Sequence, residues 1–322
     1  MAIFLITGIA GFIGSSLAHA LVENGHEVRG IDNLSTGRME NLESISNSIQ
    51  FERGSIQDLP VLRSACAGVD FVLHHAALSS VQRSVEDPLT CHRANVDGTL
   101  NVMIAARDTG VKRVIYAASS SAYGDDCRQP KCEEMRPQPV SPYAAQKVSG
   151  ELYVRAFCEA YGMEAICLRY FNVFGPRQRE DSHYSGVIAQ FIRQMMAGDT
   201  PIIYGDGSVT RDFTFVSNVV QANLLACAAP QQRARGRIYN VGTGCSRSVN
   251  ELYQTLAELL GHTSTPVYGP SRTGDITHSR ASIDRITSEL GYQPETDFRA
   301  TLETTIAWYR KQRLDIVPSA CR

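Results

Sequence analysis

The glycine-rich segment 8–14, GIAGFIG, constrains the fold of this chain more than any other feature. It follows the apolar run 3–7, which predicts a β-strand, and Gly14 opens a helical pattern over 14–24. Glycines at such a turn allow a sharp bend and a close approach to a phosphate, and the helix N-terminus offers free N–H groups. The segment therefore predicts a dinucleotide pyrophosphate site at the carboxyl end of the first strand.

Apolar runs alternate with amphipathic stretches over the first 175 residues. This alternation predicts an α/β fold in which right-handed crossover helices join the strands of a doubly wound parallel sheet. The further strands are predicted at 27–31, 49–54, 70–75, 113–118 and 165–171, and the further helices at 95–109 and 142–161.

The pattern loosens after Pro176 and predicts a smaller C-terminal α/β part. A helix is expected at 187–196, with short strands at 201–204, 213–216 and 237–241. Ligands of open parallel sheets bind at the carboxyl ends of the strands, so this part is expected to close over that edge and bind the substrate. We expect a cofactor domain at 1–175, rejoined by about 213–244, and a substrate domain at 176–212 and 245–322.

Composition excludes several classes of protein. With 43% hydrophobic residues, 20% charged residues and a net charge of −2, the chain gives no reason to expect nucleic acid or an anionic membrane as partner. No stretch approaches the roughly 20 apolar residues of a membrane helix. The nine cysteines show no Cys-x-x-Cys spacing, so we expect reduced thiols in a cytoplasmic protein and no metal site.

Asp32 ends the second predicted strand, 18 residues after Gly14. A carboxylate at this position accepts hydrogen bonds from both ribose hydroxyls and repels a 2′-phosphate, which favours NAD over NADP. Arg38 lies nearby and is a group that could bind that phosphate, which leaves NADP as the alternative cofactor.

Tyr143 and Lys147 lie four residues apart on a predicted helix, which places both side chains on one face. A nearby ammonium group favours the phenolate, so we expect Lys147 to lower the pKa of Tyr143 and to bind the nicotinamide ribose. Ser119 ends the fifth strand, where its hydroxyl can contact the reacting oxygen of the substrate. These three residues are the predicted catalytic group.

Five ordered motifs resemble the extended short-chain dehydrogenases/reductases, the NAD-dependent epimerase/dehydratase family. They are the glycine loop, YAASSSAYG (116–124), SPYAAQK (141–147), RYFNVFGPRQ (169–178) and NVGTG (240–244). The resemblance covers essentially the whole chain. It implies a Rossmann domain, bound NAD, the Ser–Tyr–Lys group, a nucleotide-sugar substrate and a homodimer formed through the helices 95–109 and 142–161. The cofactor contacts it implies are Gly8, Gly11, Phe12, Ile13, Gly14, Asp32, Asn33, Ser35, Thr36, Gly37, Ser55, Ile56, Ala76, Ala77, Asn95, Lys147 and Tyr170.

The residues after Ser119 indicate the type of reaction. The family's 4,6-dehydratases resemble this chain but carry Asp-Glu where it has Ser120 and Ser121, and its decarboxylases usually keep the Glu. Neither serine is an acid or base at neutral pH, so elimination has no obvious catalyst. The resemblance therefore implies a UDP-hexose 4-epimerase that forms a transient 4-keto sugar, acting on UDP-GlcNAc, on UDP-Glc or on both.

The second part resembles the family's substrate site. Arg211 and Arg272 match residues that bind the diphosphate, and Asp275 matches one that binds the uridine ribose. Ser279 matches a pocket residue that is large in the family's glucose-only 4-epimerases, so the resemblance implies that the small serine leaves room for a 2-acetamido group. The remaining substrate contacts implied by the resemblance are Ser79, Ser80, Arg83, Ser120, Ser121, Asn172, Val187 and Tyr204.

Two alternatives stay open at this stage. A UDP-uronic acid 4-epimerase or decarboxylase needs a cation for the C6 carboxylate, and Arg83 or Arg177 could supply it. A catalytically idle relative that senses NAD or binds a partner typically lacks the Tyr or the Lys, and this chain has both. One departure from the family is Ser55, which replaces an Asp that holds the adenine amino group and predicts weaker retention of NAD.

Overall fold

A seven-stranded parallel sheet forms the centre of the computed structural model, which describes residues 1–179, 186–270 and 277–316. The strand order is β11-β6-β5-β4-β1-β2-β3. These strands are β1 Ile3–Thr7, β2 Glu27–Asp32, β3 Ile49–Arg53, β4 Phe71–His74, β5 Arg113–Ser119, β6 Ala165–Tyr170 and β11 Arg235–Val241.

Helices cover both faces of this sheet, which explains why its central strands are buried along almost their whole length. Every residue of β6 is buried, and the β5 strand is buried except at Ser119. The helices are α1 Phe12–Glu23, α2 Leu59–Cys66, α3 Val81–Glu86, α4 Pro88–His92, α5 Gly98–Thr109, α6 Pro142–Tyr161, α7 Val187–Ala197, α8 Val216–Ala228, α9 Val249–Leu260, α10 Asp284–Leu290 and α11 Phe298–Ile316.

The doubly wound Rossmann sheet expected from the sequence is confirmed. β4 pairs with β1 on the side opposite β2, so the order of strand addition reverses at this point: β2 and β3 extend the sheet on one side of β1, and the later strands extend it on the other. The crevice at such a reversal is where open α/β sheets bind ligands. The seventh strand, β11, shows that the chain returns to the sheet after leaving it, while the proposed division into two domains remains a proposal.

One predicted helix is wrong at its N-terminal end. The pattern 95–109 predicts a single helix, but α5 begins at Gly98 and is preceded by a π-helical turn over Arg93–Asp97. A π turn differs from an α turn by one residue, too little to alter a hydrophobic period. The strand predicted at 213–216 is also shorter, because Val216 already belongs to α8.

The C-terminal part has its own apolar core and several short strands. Side chains of α7, α9 and α11 pack together there, with Phe191, Leu252 and Leu302 fully enclosed. The strands are β7 Val173–Phe174, β8 Ile202–Tyr204, β9 Thr210–Arg211, β10 Thr214–Phe215, β12 Arg247–Ser248, β13 Val267–Gly269 and β14 His278–Ser279. Within the described ranges, none of the helices combines the length and the apolar character needed to cross a membrane.

Candidate active site

Two glycines of the 8–14 turn are required by close backbone contacts. Gly8 has a φ of +75°, and a Cβ there would lie 2.7 Å from the backbone N of Ala76. A Cβ on Gly14 would lie 2.1 Å from the carbonyl oxygen of Gly8. The turn therefore fits tightly against the end of β4, and the first turn of α1 faces the crevice with its backbone N–H groups.

Asp32 is held at the end of β2 by two backbone amides. Its Oδ2 accepts from the N–H of Ala10 at 3.0 Å, and its Oδ1 accepts from the N–H of Leu34 at 2.8 Å. Burial raises the pKa of this carboxyl group, and the two amides oppose that rise. Each oxygen keeps a lone pair for a ribose hydroxyl. Gly37 packs so closely that a Cβ would lie 2.8 Å from Oδ2.

A cavity of about 440 Å³ runs along the carboxyl ends of β1, β2, β4, β5 and β6. Its shape and donors fit a dinucleotide, because it joins the helix N-terminus, the Asp32 carboxylate and the Tyr–Lys pair in one space. Arg38 does not line it. The predicted cofactor contacts that do line it are Gly8, Gly11, Phe12, Ile13, Gly14, Asp32, Asn33, Ser35, Thr36, Ser55, Ile56, Ala76, Ala77, Lys147 and Tyr170.

Asn95 and Gly37 do not line this cavity. Asn95 is buried in the π turn, where its Nδ2 donates to the carbonyl of Leu78 at 3.0 Å and to Oε1 of Gln146 at 2.8 Å. Its Oδ1 accepts from the N–H of Leu78 at 2.8 Å. All of its hydrogen-bonding atoms are thus engaged by protein, and Asn95 shapes the segment after β4 instead of facing the crevice.

Tyr143 lies in the first turn of α6, which begins at Pro142 after the N-cap Ser141. Its ring is 9% exposed and lines the cavity, and its backbone N–H donates to Oγ of Ser84 at 3.0 Å. Burial raises the pKa of Tyr143 to about 12, and a hydrogen bond with Ser119 acts in the opposite direction. The lowered pKa predicted from the sequence is therefore wrong, because sequence spacing does not show how deeply the phenol is buried.

Lys147 lies one turn further along α6 and is 5% exposed. Its Nζ donates to the carbonyl of Ala117 at 2.8 Å and lies 5.0 Å from the ring centre of Tyr116. Burial lowers the pKa of Lys147 to about 8, while the carboxylate of Glu151 opposes that fall. The ammonium group is thus held between the end of β5 and the cavity.

Ser119 is oriented by its own neighbour. The Oγ of Ser121 donates to the Oγ of Ser119 at 2.8 Å, and the N–H of Ser121 also donates to that atom at 3.2 Å. Ser120 and Ser121 begin a 3₁₀ turn that ends at Tyr123. Ser121 therefore orients the hydroxyl that faces Tyr143.

The small strands bring together two of the predicted substrate residues. Arg211 in β9 is directly opposite Ser279 in β14, and Ser279 is buried. Tyr204 in β8 is largely exposed. Arg272 and Asp275 lie outside the described residues.

The other predicted substrate residues fall in three places. Ser79, Ser80 and Arg83 line the cavity just after β4, and Val187 is the first residue of α7. Asn172 was expected at the end of the sixth strand, but β6 ends at Tyr170 and the Asn172 side chain is exposed.

The loop after the Ser119 segment is joined to β14. Nε2 of Gln129 donates to the carbonyl of His278 at 2.7 Å, and the N–H of Arg280 donates to Oε1 of Gln129 at 3.0 Å. Lys131 and Ser282 extend this pairing through backbone hydrogen bonds of 2.8 Å. The strand that carries Ser279 is thereby held against the loop that follows the catalytic serine.

Four further residues shape this site, and sequence reasoning named only Arg177 among them, as a candidate cation for a C6 carboxylate. His75 and Arg177 line the cavity, and Arg179 donates to the carbonyl of Thr36 at 3.3 Å in the cofactor loop. The basic spacing in GPRQR, directly after β7, is a signal that could have identified Arg179 as well.

The fourth residue is Asp212, which is fully buried. Its Oδ1 accepts from the N–H and Oγ1 of Thr243, and its Oδ2 accepts from the N–H groups of Gly244 and Ala281, at 2.7–3.1 Å. Burial raises its pKa, and these hydrogen bonds oppose the rise. Asp212 therefore joins the β9, NVGTG and β14 segments into one unit.

Comparisons with known proteins agree with this geometry. A model of the NAD dependent epimerase/dehydratase family matches residues 4–242. A UDP-glucose 4-epimerase of Mycolicibacterium smegmatis is 40% identical over 96% of this chain and 98% of its own length.

Two solved structures are similar over nearly their whole length. The UDP-N-acetylglucosamine 4-epimerase of Methanobrevibacter ruminantium M1, in complex with UDP-N-acetylmuramic acid, is 38% identical with a TM-score of 0.92, covering 97% of this chain and 99% of that chain. The UDP-glucose 4-epimerase of Thermotoga maritima, with UDP-glucose, is 36% identical with a TM-score of 0.91 and the same coverage. On this evidence and on the dinucleotide cavity, the chain belongs to the NAD-dependent epimerase/dehydratase family of UDP-sugar enzymes and uses NAD.

Proposed function

We propose that the protein is a UDP-hexose 4-epimerase that interconverts UDP-GlcNAc with UDP-GalNAc, UDP-Glc with UDP-Gal, or both pairs. The observation that carries this proposal is the group Ser119, Tyr143 and Lys147, with Ser120 and Ser121 in place of an acid pair. Tyr143 and Lys147 line the cavity, and Ser119 is hydrogen-bonded to Tyr143. Proton transfer at O4 then has a base, whereas elimination across C5 and C6 has no acid and base beside Ser119.

The chain's own residues handle one proton. Tyr143, once ionised, takes the proton of the sugar 4-hydroxyl as the C4 hydride leaves, and it returns that proton when the opposite face of the ketone is reduced. Ser119 hydrogen-bonds the same oxygen, and the Lys147 ammonium stabilises the phenolate. NAD, when bound, supplies the hydride acceptor and the subsequent donor. No net oxidation results.

The direct test is to incubate the purified protein with NAD and with UDP-Glc or UDP-GlcNAc, and to follow the anomeric protons by NMR. We expect the galacto epimers to appear, and Tyr143→Phe to reduce the rate by about 10²–10⁴-fold, the usual contribution of a positioned base. A 4-keto-6-deoxy product, or no inversion at C4, would reject the proposal.

Ser279 is proposed to determine whether the 2-acetamido group is accepted. The residue is buried opposite Arg211, so a larger side chain would fill the space beside the predicted diphosphate contact. Ser279→Tyr should lower the rate with UDP-GlcNAc at least about tenfold relative to the rate with UDP-Glc. Equal losses for both sugars would remove Ser279 from this role.

A second candidate is epimerisation or decarboxylation of a UDP-uronic acid. It is favoured by Arg83 and Arg177, both of which line the cavity and carry guanidinium groups suited to a C6 carboxylate. UDP-glucuronate belongs in the same NMR assay. Loss of CO₂, or inversion of this substrate alone, would favour this candidate over the hexose epimerase.

We also propose a homodimer formed by α5 and α6. Leu152 is 62% exposed and lies on the outer face of α6, where a second copy would cover it. Light scattering should give twice the chain mass for the wild type and a monomer for Leu152→Glu. An unchanged mass for the variant would place the interface elsewhere.

A further inference from the structure

Glu151 and Arg169 form a buried ion pair behind the catalytic group. Glu151 lies one turn after Lys147 on α6, and Arg169 precedes Tyr170 on β6. The guanidinium donates from Nε to Oε1 and from Nη2 to Oε2, both at 2.7 Å, and the side chains are 1% and 4% exposed. A pair buried so deeply contributes little net stability because desolvation offsets its attraction. Its position beside Lys147 therefore calls for another explanation.

The pair also contacts the segment that carries the catalytic serine. The Arg169 guanidinium lies 4.7 Å from the ring centre of Tyr123, the last residue of the turn that follows Ser119. The hydroxyl of Tyr123 donates to Oδ1 of Asn240 at 2.6 Å. Burial disfavours the charged form of Arg169, yet the hydrogen bonds and charge of Glu151 raise its pKa overall, so the guanidinium stays charged.

Most other titratable groups around Lys147 are neutral. Burial lowers the pKa of the two histidines at the end of β4, and it raises the pKa of the buried phenols and of the thiol on β5, β6 and the 3₁₀ turn. The other acidic and basic side chains that line the cavity are those of Asp32, Arg83, Arg177 and Arg179. The neutral groups are His74, His75, Tyr116, Tyr123, Cys167 and Tyr170.

Among the described residues of α6 and β6, the buried charged side chains are those of Lys147, Glu151 and Arg169. Their sum is one positive charge. If Glu151 had no partner, it would cancel the ammonium of Lys147, and the phenolate would lose its stabilising charge. Because Arg169 binds both carboxylate oxygens, the field of Glu151 is offset and that of Lys147 is not.

We propose that the charge of Arg169 offsets that of Glu151, so that the charge of Lys147 acts on Tyr143. The ion pair thereby helps to keep the base ionised. This inference rests on the proposed function, because it assumes that Tyr143 is the base. Neither residue of the pair lines the cavity, so both act through their neighbours.

The pH dependence of kcat/KM separates this role from a structural one. Glu151→Gln leaves two cations, which favours the phenolate and disfavours the ammonium, so both limbs of the profile should move about 0.5–1 unit to lower pH. Glu151→Gln combined with Arg169→Gln restores one positive charge, so its limbs should return towards the wild type. A purely structural pair predicts that the double variant is displaced as far as the single variant, or further.

A second comparison covers the case in which Glu151→Gln does not fold with an unpaired arginine. Glu151→Gln/Arg169→Lys keeps the extra cation, and Glu151→Gln/Arg169→Gln does not. The limbs of the kcat/KM profile should therefore lie at lower pH in the first variant than in the second. Phenolate absorbance of each variant, titrated against the same variant carrying Tyr143→Phe, gives a readout without substrate. The inference would be overturned if the variants showed the same limbs in the pH profile of kcat/KM and the same phenolate titration as the wild type. A wild type that is inactive on every UDP-sugar would instead overturn the proposed function.

Discussion

The cofactor edge, formed by the carboxyl ends of β1, β2, β4, β5 and β6, differs from the small-strand region, formed by β8, β9, β12, β13 and β14. At the cofactor edge the backbone fixes the geometry, as the 2.1 Å approach of a Gly14 Cβ to Gly8 shows. The small-strand region consists of strands of two or three residues, and the carboxylate of Asp212 joins the end of β9 to Thr243 and to Ala281, which follows β14. The cofactor edge thus depends on backbone contacts, and the small-strand region on the contacts of a buried side chain.

The largest expected effect comes from adding one methyl group at the cofactor edge. Gly14→Ala must displace the Gly8 carbonyl, so NAD affinity should fall about 100-fold or more, which corresponds to about 3 kcal/mol. Gly25→Ala, after the other end of α1, meets no atom within 4 Å and is the matched control. Its φ of +74° should cost about 1 kcal/mol of stability, with NAD affinity unchanged. Calorimetric titration with NAD measures the affinity of each variant, and equal affinities for Gly14→Ala and Gly25→Ala would contradict the comparison.

Removal of the charge of Asp212 should affect the small-strand region alone. The amide introduced by Asp212→Asn would present an NH₂ group to two of the present donors, so the substitution should cost about 2–4 kcal/mol of stability. UDP affinity should fall about tenfold, with NAD affinity unchanged. Asp206→Asn, at an exposed carboxylate in the same region, should change either quantity little. A parallel loss of NAD affinity in Asp212→Asn would show that the two regions are not independent.

Acid should destabilise the cofactor edge first. The folded pKa of His75 is about 3 against 6.5 for the free side chain, so the unfolded chain binds more protons between these values. The stability is present above pH 6.5 and is lost as pH falls, by about 2 kcal/mol at pH 5. His75→Phe should remove the contribution of His75 to this loss of stability and leave that of His74. His92→Gln, at an exposed histidine, should leave the loss as it is in the wild type. Urea unfolding of each variant, at a pH above 6.5 and at pH 5, provides the measurement.

The smallest predicted effect is a gain in stability. Burial lowers the pKa of Lys147 to about 8 from 10.5, so at pH 7 its charge opposes folding. Lys147→Met should stabilise the protein by about 1–2 kcal/mol, after allowance for the lost bond to Ala117, and should abolish catalysis. The gain should disappear as pH rises past 10.5. Lys112→Met, at an exposed lysine, should give no such gain; a loss of stability in Lys147→Met would contradict the expectation.

The sequence predicts the cofactor edge well because its geometry demands particular residues. Glycine is required at positions 8 and 14, and Pro142 after Ser141 marks the start of α6, which agrees in both bounds with the prediction. Such requirements are local, so they are visible in consecutive residues.

The rest could not be predicted for stated physical reasons. A strand of two residues, such as β9 or β14, carries no hydrophobic period. The π turn before α5 changes the helical register by one residue. Asp212 gains its partners only when Thr243 and Ala281, 31 and 69 positions away, fold against it. The pKa of Tyr143 depends on burial, which spacing alone does not report.

The pairing of Gln129 and Lys131 with the segment around Ser279 also sets a rule for engineering. The loop after the catalytic serine and the strand that carries the proposed specificity residue share backbone hydrogen bonds across about 150 positions of sequence. If only one of the two segments were replaced by that of a relative, a loop from one protein would lie against a strand from the other. Chimaeras designed to change sugar preference should therefore transfer the two segments together.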